Sequence, residues 1–158
     1  DGRIAQMEKG NYDAIILAAT GLQKMNMIDV ATEIFDTDVM LPAVGQGILA
    51  IEMIDKDGYI YDLVKKLSHQ PTKDAADAER AFLIALGGGC NLPMAAYATA
   101  TATEISIEGI FATKDGEFFA RKTISGSIND KRTLARQLAL ALKEEVELKK
   151  KALLTNVS

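Results

Sequence analysis

The chain has 158 residues and a formal net charge of −4, with 48% hydrophobic and 25% charged residues. These fractions are typical of a folded globular protein and exclude an intrinsically disordered one. The acidic balance argues against a nucleic-acid partner, because a duplex binder needs a basic face. No apolar run approaches the roughly 20 residues of a membrane span, so we expect no membrane partner either.

The N-terminus and the single cysteine indicate the cellular compartment and whether the chain is part of a longer polypeptide. The first residues, DGRIAQMEKG, are polar and charged and do not resemble a signal peptide. One cysteine cannot form an internal disulfide, which favours the cytoplasm. The chain has no initiator methionine, and Asp1 opens almost directly onto helical spacing, so we expect a piece of a longer polypeptide.

The first third of the chain is predicted to combine helices with a buried strand. Residues 3–9 have helical spacing and end at Gly10, a natural residue after a helix end. Residues 14–19 form a continuous apolar run that is too short for a core helix. Such a run predicts a strand buried on both faces, as in a parallel sheet. Apolar residues return to helical spacing over residues 27–34.

Residues 42–67 are predicted to run from a loop into a strand and then into a helix. The stretch LPAVGQGILAIE places two glycines around Gln46, and its apolar end, residues 48–51, predicts a second strand. Residues 60–67 have the spacing of an amphipathic helix. Two isolated strands make a poor sheet and would expose much apolar surface, so this half is not expected to be complete by itself.

A fourth predicted helix follows a break at HQPTKD. Pro71 can start this helix, and Thr72 or Asp74 can cap it. Glu79 and Arg80 are adjacent, therefore point to different sides, and are predicted to be structural. The helix has one apolar face, formed by Ala78, Ala81, Phe82, Ala85 and Leu86. Gly87 is predicted to end the helix, and we call this end the glycine stop.

The remainder is predicted to complete a compact unit of a helix, three antiparallel strands and a helix. Residues 105–111 alternate as a strand does, TKDGE is a hairpin signal, and residues 118–125 form the returning strand. Asn129 or Asp130 is predicted to cap a long final helix. Its charged end, KEEVELKKK, is expected to fray.

The stretch AERAFLIALGGGCNLPMAAYA places three glycines directly before the only cysteine, Cys90. Glycine adopts positive φ without strain, so an open loop with a reachable thiol is one interpretation. The other interpretation is that Gly87 is a helix cap and Cys90 a small hydrophobic residue at a strand start. The sole histidine, His69, has no evident reason to pair with the thiol, and metal ligands are too few for a metal site. For a reachable thiol, covalent attachment remains.

Three motifs in order, GNYDAIILAATGLQKM, LPAVGQGILAIE and AERAFLIALGGGCNLPMAAYA, resemble the porphobilinogen deaminases, also called hydroxymethylbilane synthases. The resemblance runs from Arg3 to about Phe119. It implies a dipyrromethane cofactor joined by a thioether to Cys90 in the loop of Gly88 and Gly89. It also implies an enzyme that adds four porphobilinogen units to this anchor with loss of ammonia. Hydrolysis then releases hydroxymethylbilane for tetrapyrrole and haem biosynthesis.

The resemblance also implies binding residues for the carboxylates of the growing pyrrole chain. Arg3 matches one arginine of the family's cleft. Lys24 stands where the family has an arginine, and it keeps the charge but loses the planar fork that binds carboxylates bidentately. Gln46 is expected to face the cleft.

The implied fold is mixed α/β and α+β, the tail of a periplasmic-binding-protein-like domain followed by a three-stranded antiparallel sheet packed with helices. Residues 1–41 would end domain 2, residues 42–66 would return to domain 1, and residues 67–158 would form domain 3. The family's catalytic aspartate lies in the missing N-terminal part. We therefore expect no catalytic residue in this chain, no turnover by it alone, and the missing N-terminal domains as its partner. Residues 1–66 are expected to pack differently from the family or to associate with a second copy.

Two other functions stay open at the level of the sequence. One is a non-catalytic α/β binding module for an anionic small molecule. The other is a redox or acylation thiol on an unrelated α+β domain. The chemical state of Cys90 distinguishes all three readings.

Overall fold

A computed structural model describes residues 2–54, 58–88 and 92–156 of the chain. These residues form two compact units that divide between Phe35 and Asp36. The three-domain division predicted at residues 41 and 66 stays a prediction. None of the helices in the described ranges combines the length and apolar composition that crossing a membrane requires.

The first unit contains two short helices and one turn of 3₁₀ helix. Helix α1 is Gly2–Glu8 and helix α2 is Ala19–Lys24, and the 3₁₀ turn is Ile28–Val30. Helix α1 confirms the predicted helix, and Gly10 after it has φ +76°. The helix predicted over residues 27–34 is wrong, because only the 3₁₀ turn forms there.

The two strands predicted in the first 54 residues are also wrong. Residues 14–18 and 48–54 have no strand pairing, and Ala19 already belongs to α2. Ile16 is 67% exposed and Leu49 78% exposed. The only sheet in the described ranges has three strands, all after residue 93, so neither run has a neighbouring strand with which to pair.

The second unit carries the helix, sheet and helix predicted for the C-terminal part. Its elements are helix α3 (Tyr59–Lys66), helix α4 (Gln70–Ala85), strands β1 (Met94–Ala100), β2 (Glu104–Ala112) and β3 (Phe119–Ser127), a 3₁₀ turn (Ile128–Asp130) and helix α5 (Lys131–Asn156). The sheet is antiparallel in the order β1-β2-β3. Helix α3 confirms the amphipathic helix, and the hairpin TKDGE joins β2 to β3 with Gly116 at φ +75°.

Helices α4 and α5 cover one face of the sheet and create the main core. The buried face of α4 matches the predicted face closely, and the ring of Phe82 is fully buried against the sheet. Gly109 of β2 makes this possible, because a Cβ there would lie 2.7 Å from Cε2 of that ring. The largest fully buried side chains are Phe82, Ile105, Ile107, Leu142 and Val146.

The caps predicted at the start of α4 are wrong. Thr72 and Asp74 lie inside α4 and do not cap it, since the helix already begins at Gln70. Asp74 instead accepts a salt bridge from Nζ of Lys131 at 2.9 Å, and this contact lowers the pKa of its carboxyl.

A 3₁₀ turn with its own cap precedes the last helix, and the charged end of that helix differs from expectation. The hydroxyl of Ser127 caps this turn, because it accepts the backbone N–H of Asn129 at 3.3 Å. The cap predicted for α5 at Asn129 or Asp130 stays a prediction. Helix α5 continues to Asn156 through KEEVELKKK. Val146 within that segment is fully buried, which holds this part of the helix on the sheet.

Candidate cofactor-attachment loop

The end of α4 is a Schellman motif that sets up the glycine–cysteine loop. The backbone N–H of Gly87 donates to the carbonyl of Ile84 at 3.0 Å, and that of Gly88 donates to the carbonyl of Leu83 at 2.9 Å. Gly87 has φ +99° and Gly88 φ +54°, both in the left-handed region. Two glycines are therefore required to turn the chain out of the helix directly before the segment that contains Cys90.

Space around the two described glycines fits a bulky group beside the backbone. A Cβ built on either Gly87 or Gly88 would meet no heavy atom within 4 Å. The space beside Gly87 and Gly88 is therefore open. Cys90 and Gly89 themselves lie outside the described residues, so the predicted attachment point is not located by the structure.

The chain is anchored again on the far side of this loop. The side chain of Leu92 packs partly buried against the core. The carbonyl of Pro93 accepts the backbone N–H of Ala112 at 2.9 Å, next to the start of β1. The loop is therefore held at a helix end on one side and at the sheet on the other.

His69 and the glycine stop lie at opposite ends of α4. It precedes the 16 residues of α4, whereas Gly88 follows them. A helix of that length spans about 24 Å. The Nδ1 atom of His69 lies 2.9 Å from Oγ1 of Thr72, so its described partner is local.

Glu79 is a buried carboxylate that joins two separate parts of the second unit. The residue is only 4% exposed. Its Oε1 accepts the backbone N–H of Ala98 in β1 at 3.0 Å, and its Oε2 accepts the backbone N–H of Gly45 at 2.7 Å. Burial raises the pKa of this carboxyl, although the two backbone hydrogen bonds oppose that rise. Arg80 is exposed, as its position next to Glu79 predicted.

Gln46 lies in a turn that this carboxylate holds. The backbone N–H of Gln46 donates to the carbonyl of Ala43 at 3.0 Å, and that of Ile48 to the carbonyl of Gly45 at 3.2 Å. Gly45 has φ +76°, which explains a glycine at that position. The side chain of Gln46 is exposed. A cavity of about 140 Å³ lies under the turn, between it and β1.

Arg121 forms a second attachment for the same segment. Its Nη1 and Nη2 donate to the carbonyls of Asp38 and Thr37 at 2.6 and 3.1 Å. Its Nε donates to Oε1 of Glu108 at 2.6 Å, and this bond raises the pKa of the guanidinium. The sequence alone did not reveal this role or the contacts of Glu79, because hydrogen bonds to backbone groups 19 and more residues away leave no pattern in side-chain spacing.

The other two predicted binding residues belong to the first unit. Arg3 lies on α1 and Lys24 is the last residue of α2, and both side chains are exposed. Gln46 and Gly88 belong to the second unit. The structure therefore brings Gln46 into one unit with the glycine stop, and it places Arg3 and Lys24 together in the other.

No cluster of three or more residues that could hold a metal occurs in the described ranges. A cavity of about 430 Å³ lies between the starts of α4 and α5. Two of its polar lining residues already bind each other, since Nε2 of Gln70 donates to Oδ2 of Asp74 at 3.0 Å.

Comparison with known proteins gives a consistent result across the chain. Residues 1–62 match the family model described as porphobilinogen deaminase, dipyromethane cofactor binding domain, and residues 74–144 match porphobilinogen deaminase, C-terminal domain. The first match contains Arg3, Lys24 and Gln46. The second contains the glycine stop, Cys90 and the sheet.

Individual relatives support both matches. A porphobilinogen deaminase of Lysinibacillus sphaericus is 42% identical over 146 residues, which is 92% of this chain and 46% of the relative. One from Pelotomaculum thermopropionicum is 39% identical over 142 residues, 90% of this chain and 46% of the relative. One from Moorella thermoacetica is 41% identical over 140 residues, 89% of this chain and 45% of the relative. The chain thus spans about half the length of the curated relatives it matches.

The helix–sheet–helix unit with its glycine stop is therefore a C-terminal domain of the deaminase class. The chain as a whole belongs to the porphobilinogen deaminase family.

Proposed function

We propose that the chain is part of a porphobilinogen deaminase, or hydroxymethylbilane synthase, in which Cys90 holds a dipyrromethane cofactor through a thioether. The observation that carries this proposal is the Schellman stop at Gly87 and Gly88. It turns the chain out of α4 beside open space immediately before the only cysteine, in a chain that matches this family on both sides.

The chemistry asked of Cys90 is one nucleophilic attachment. Its thiolate donates an electron pair to the methylene carbon of a pyrrole unit that has lost ammonia, and a carbon–sulfur bond forms. A thiolate suits this soft electrophile, and a thioether, unlike a thioester, resists hydrolysis. When bound, the cofactor supplies the free pyrrole end to which four porphobilinogen units add before hydrolysis releases hydroxymethylbilane.

Arg3, Lys24 and Gln46 are proposed to bind the acetate and propionate groups of this chain. Arg3 offers a planar fork for bidentate contact with a carboxylate. Lys24 offers a single charged donor at its position, so we expect weaker orientation of a carboxylate there. Gln46 offers an uncharged amide on an exposed turn.

The partner proposed for this chain is the N-terminal part of the same enzyme, with the catalytic carboxylate, in the cytoplasm. Apolar side chains after the Gln46 turn support this proposal, because Leu49, Ile54 and Leu67 are each at least 70% exposed. Large apolar side chains with this much exposure are often covered by a partner surface.

The test is the intact mass of an active assembly. The chain is joined to the N-terminal half of the Lysinibacillus sphaericus relative, and the wild-type assembly is first shown to consume porphobilinogen. The assemblies with the wild-type chain, with Cys90→Ser and with His69→Ala are then weighed, whether or not the variants are active. We expect a mass excess of two pyrrole units in the wild type and in His69→Ala, and none in Cys90→Ser. A mass excess that survives Cys90→Ser contradicts the proposal.

A second measurement concerns the chain alone. Without the N-terminal part we expect no conversion of porphobilinogen, because the catalytic aspartate that the family resemblance implies lies in that part. Turnover by the purified 158 residues would contradict this expectation.

A further inference from the structure

Glu79 uses both carboxylate oxygens on backbone groups that belong to different elements. Oε1 accepts the N–H of Ala98, and Oε2 accepts the N–H of Gly45. Among the described residues, no lysine or arginine forms a salt bridge with Glu79. Burying a carboxylate costs free energy unless hydrogen bonds replace its water. A neutral side chain would fill the same space at lower cost, so this carboxylate calls for a specific task.

One task concerns the edge of the sheet. Strand β1 pairs only with β2, so its other edge carries backbone groups without strand partners. Glu79 satisfies the N–H of Ala98 on that edge. This contact alone needs only one oxygen, so it does not account for the bond to Gly45.

The second oxygen fixes the turn that carries Gln46. Gly45 immediately precedes Gln46. The hydrogen bond from the N–H of Gly45 to Glu79 is shorter than the one from Ala98. Upstream, Arg121 holds the carbonyls of Thr37 and Asp38. The segment between residues 37 and 45 is therefore attached to the helix–sheet unit at both ends.

Helix α4 connects this attachment to the glycine stop. Glu79 lies six residues before Ala85, the last residue of α4, which corresponds to about 9 Å along the helix axis. The Gln46 turn and the glycine stop are therefore both attached to the same helix, α4.

We propose that Glu79 is a positioning residue that fixes the turn of Ala43–Gly45–Gln46–Ile48 relative to the glycine stop at the end of α4, and that it thereby sets where Gln46 meets the pyrrole carboxylates. The contact of Gln46 with substrate rests on the function proposed above. The fixing of the turn does not rest on it, so the two can fail separately.

The first experiment measures amide hydrogen exchange in the 158-residue chain. In the wild type we expect protection of both the Gly45 and Ala98 amides. Glu79→Gln keeps only one accepting oxygen, without the charge of the carboxylate, so it removes one of the two hydrogen bonds and weakens the other. We therefore expect both amides to exchange faster, and at least one of them roughly tenfold or more. Asp77→Asn, an acid-to-amide change on the same helix that removes only a surface ion pair with Arg132, should leave both rates unchanged.

The outcomes decide between a positioning role and an edge cap. Faster exchange at Ala98 with unchanged exchange at Gly45 overturns the proposal, as does an unprotected Gly45 amide in the wild type. The wild-type measurement keeps the proposal testable if Glu79→Gln does not fold.

The second experiment measures kinetics in the active assembly described above. Since Glu79 acts through Gln46, we expect Glu79→Gln and Gln46→Ala each to raise the KM for porphobilinogen several-fold with a smaller change in kcat. The double variant should be no worse than the worse single variant. Additive losses of kcat/KM overturn the coupling. If no assembly is active, the function proposed above fails while the exchange experiment still decides the role of Glu79.

Discussion

Residues 14–18 and strand β1 are two apolar stretches of similar length with opposite outcomes. Both are rich in alanine and aliphatic or aromatic residues. The first forms no strand and leaves Ile16 exposed, whereas β1 pairs with β2 along seven residues and buries Ala96 and Ala98. The difference lies in the neighbours, because helix α4 precedes β1 in the chain and strand β2 follows it. An apolar run therefore becomes a strand only where the same chain supplies its partner.

The largest expected effect contrasts the two stretches through their packing. Phe82→Ala removes a fully buried ring from beneath the sheet and should lower the free energy of unfolding by about 3–5 kcal/mol. Ile16→Ala removes a largely exposed side chain and should change it by less than about 0.5 kcal/mol. Urea denaturation followed by circular dichroism measures both. Equal losses would mean that residues 14–18 are packed in solution.

A smaller effect is expected from filling the space that a glycine leaves. Gly109→Ala would bring a Cβ to 2.7 Å from Cε2 of Phe82 and should cost about 1–3 kcal/mol. Gly47→Ala is the matched control, since no heavy atom lies within 4 Å of its Cβ position and its φ is not positive. The same denaturation experiment applies, and a stability loss in the control as large as in Gly109→Ala would contradict this packing.

The sign of the next effect should differ between the two units. Gly88→Ala places a Cβ at φ +54° and should cost about 1–2 kcal/mol. Gly21→Ala, inside α2 and with open space around it, should instead stabilise its helix by about 0.5–1 kcal/mol. Thermal unfolding of both variants tests this contrast, and a neutral Gly88→Ala would exclude the left-handed conformation.

The smallest effect is a pH dependence on the surface of the second unit. Hydrogen bonds from Lys122 and Lys149 lower the pKa of Glu145 from 4.5 to about 2. A depressed pKa stabilises the folded state above the unfolded value, and this contribution is lost as the pH falls from 4.5 towards 2. The stability difference between the wild type and Glu145→Gln should therefore be constant above about pH 5 and shrink below it.

The pH experiment has a neighbour as its control. Glu144→Gln removes a carboxylate from an exposed position one residue away. Urea midpoints between pH 2 and 7 compare the two variants with the wild type. A gap between Glu145→Gln and the wild type that widens on acidification would show that the lysine contacts do not form.

Periodicity predicted the elements whose partners follow directly in the chain. The apolar face of α4, the hairpin at Gly116 and the stop at Gly87 all depend on contacts or dihedral angles within a few residues, and all were confirmed. The strands predicted over residues 14–19 and 48–51 failed because their stability depends on partners that the described chain does not supply.

Side-chain contacts to distant backbone were not predictable. The caps assigned to Thr72 and Asp74 were wrong because Asp74 finds a stronger partner in Lys131, 57 positions away. Glu79 was predicted to be structural, but its two backbone partners carry no residue-type signal. The location of Cys90, on which the proposed function depends, lies outside the described residues.

The hydrogen bonds of Arg121 to backbone carbonyls determine which amino-acid exchanges residues 37 and 38 tolerate. Its Nη atoms recognise only the carbonyl oxygens of residues 37 and 38, which every amino acid possesses. Exchange of the Thr37 side chain leaves both hydrogen bonds intact, whereas exchange of Asp38 also removes a negative charge that favours the charged guanidinium. Arg121 itself is the sensitive position, because lysine lacks the planar fork that binds both carbonyls.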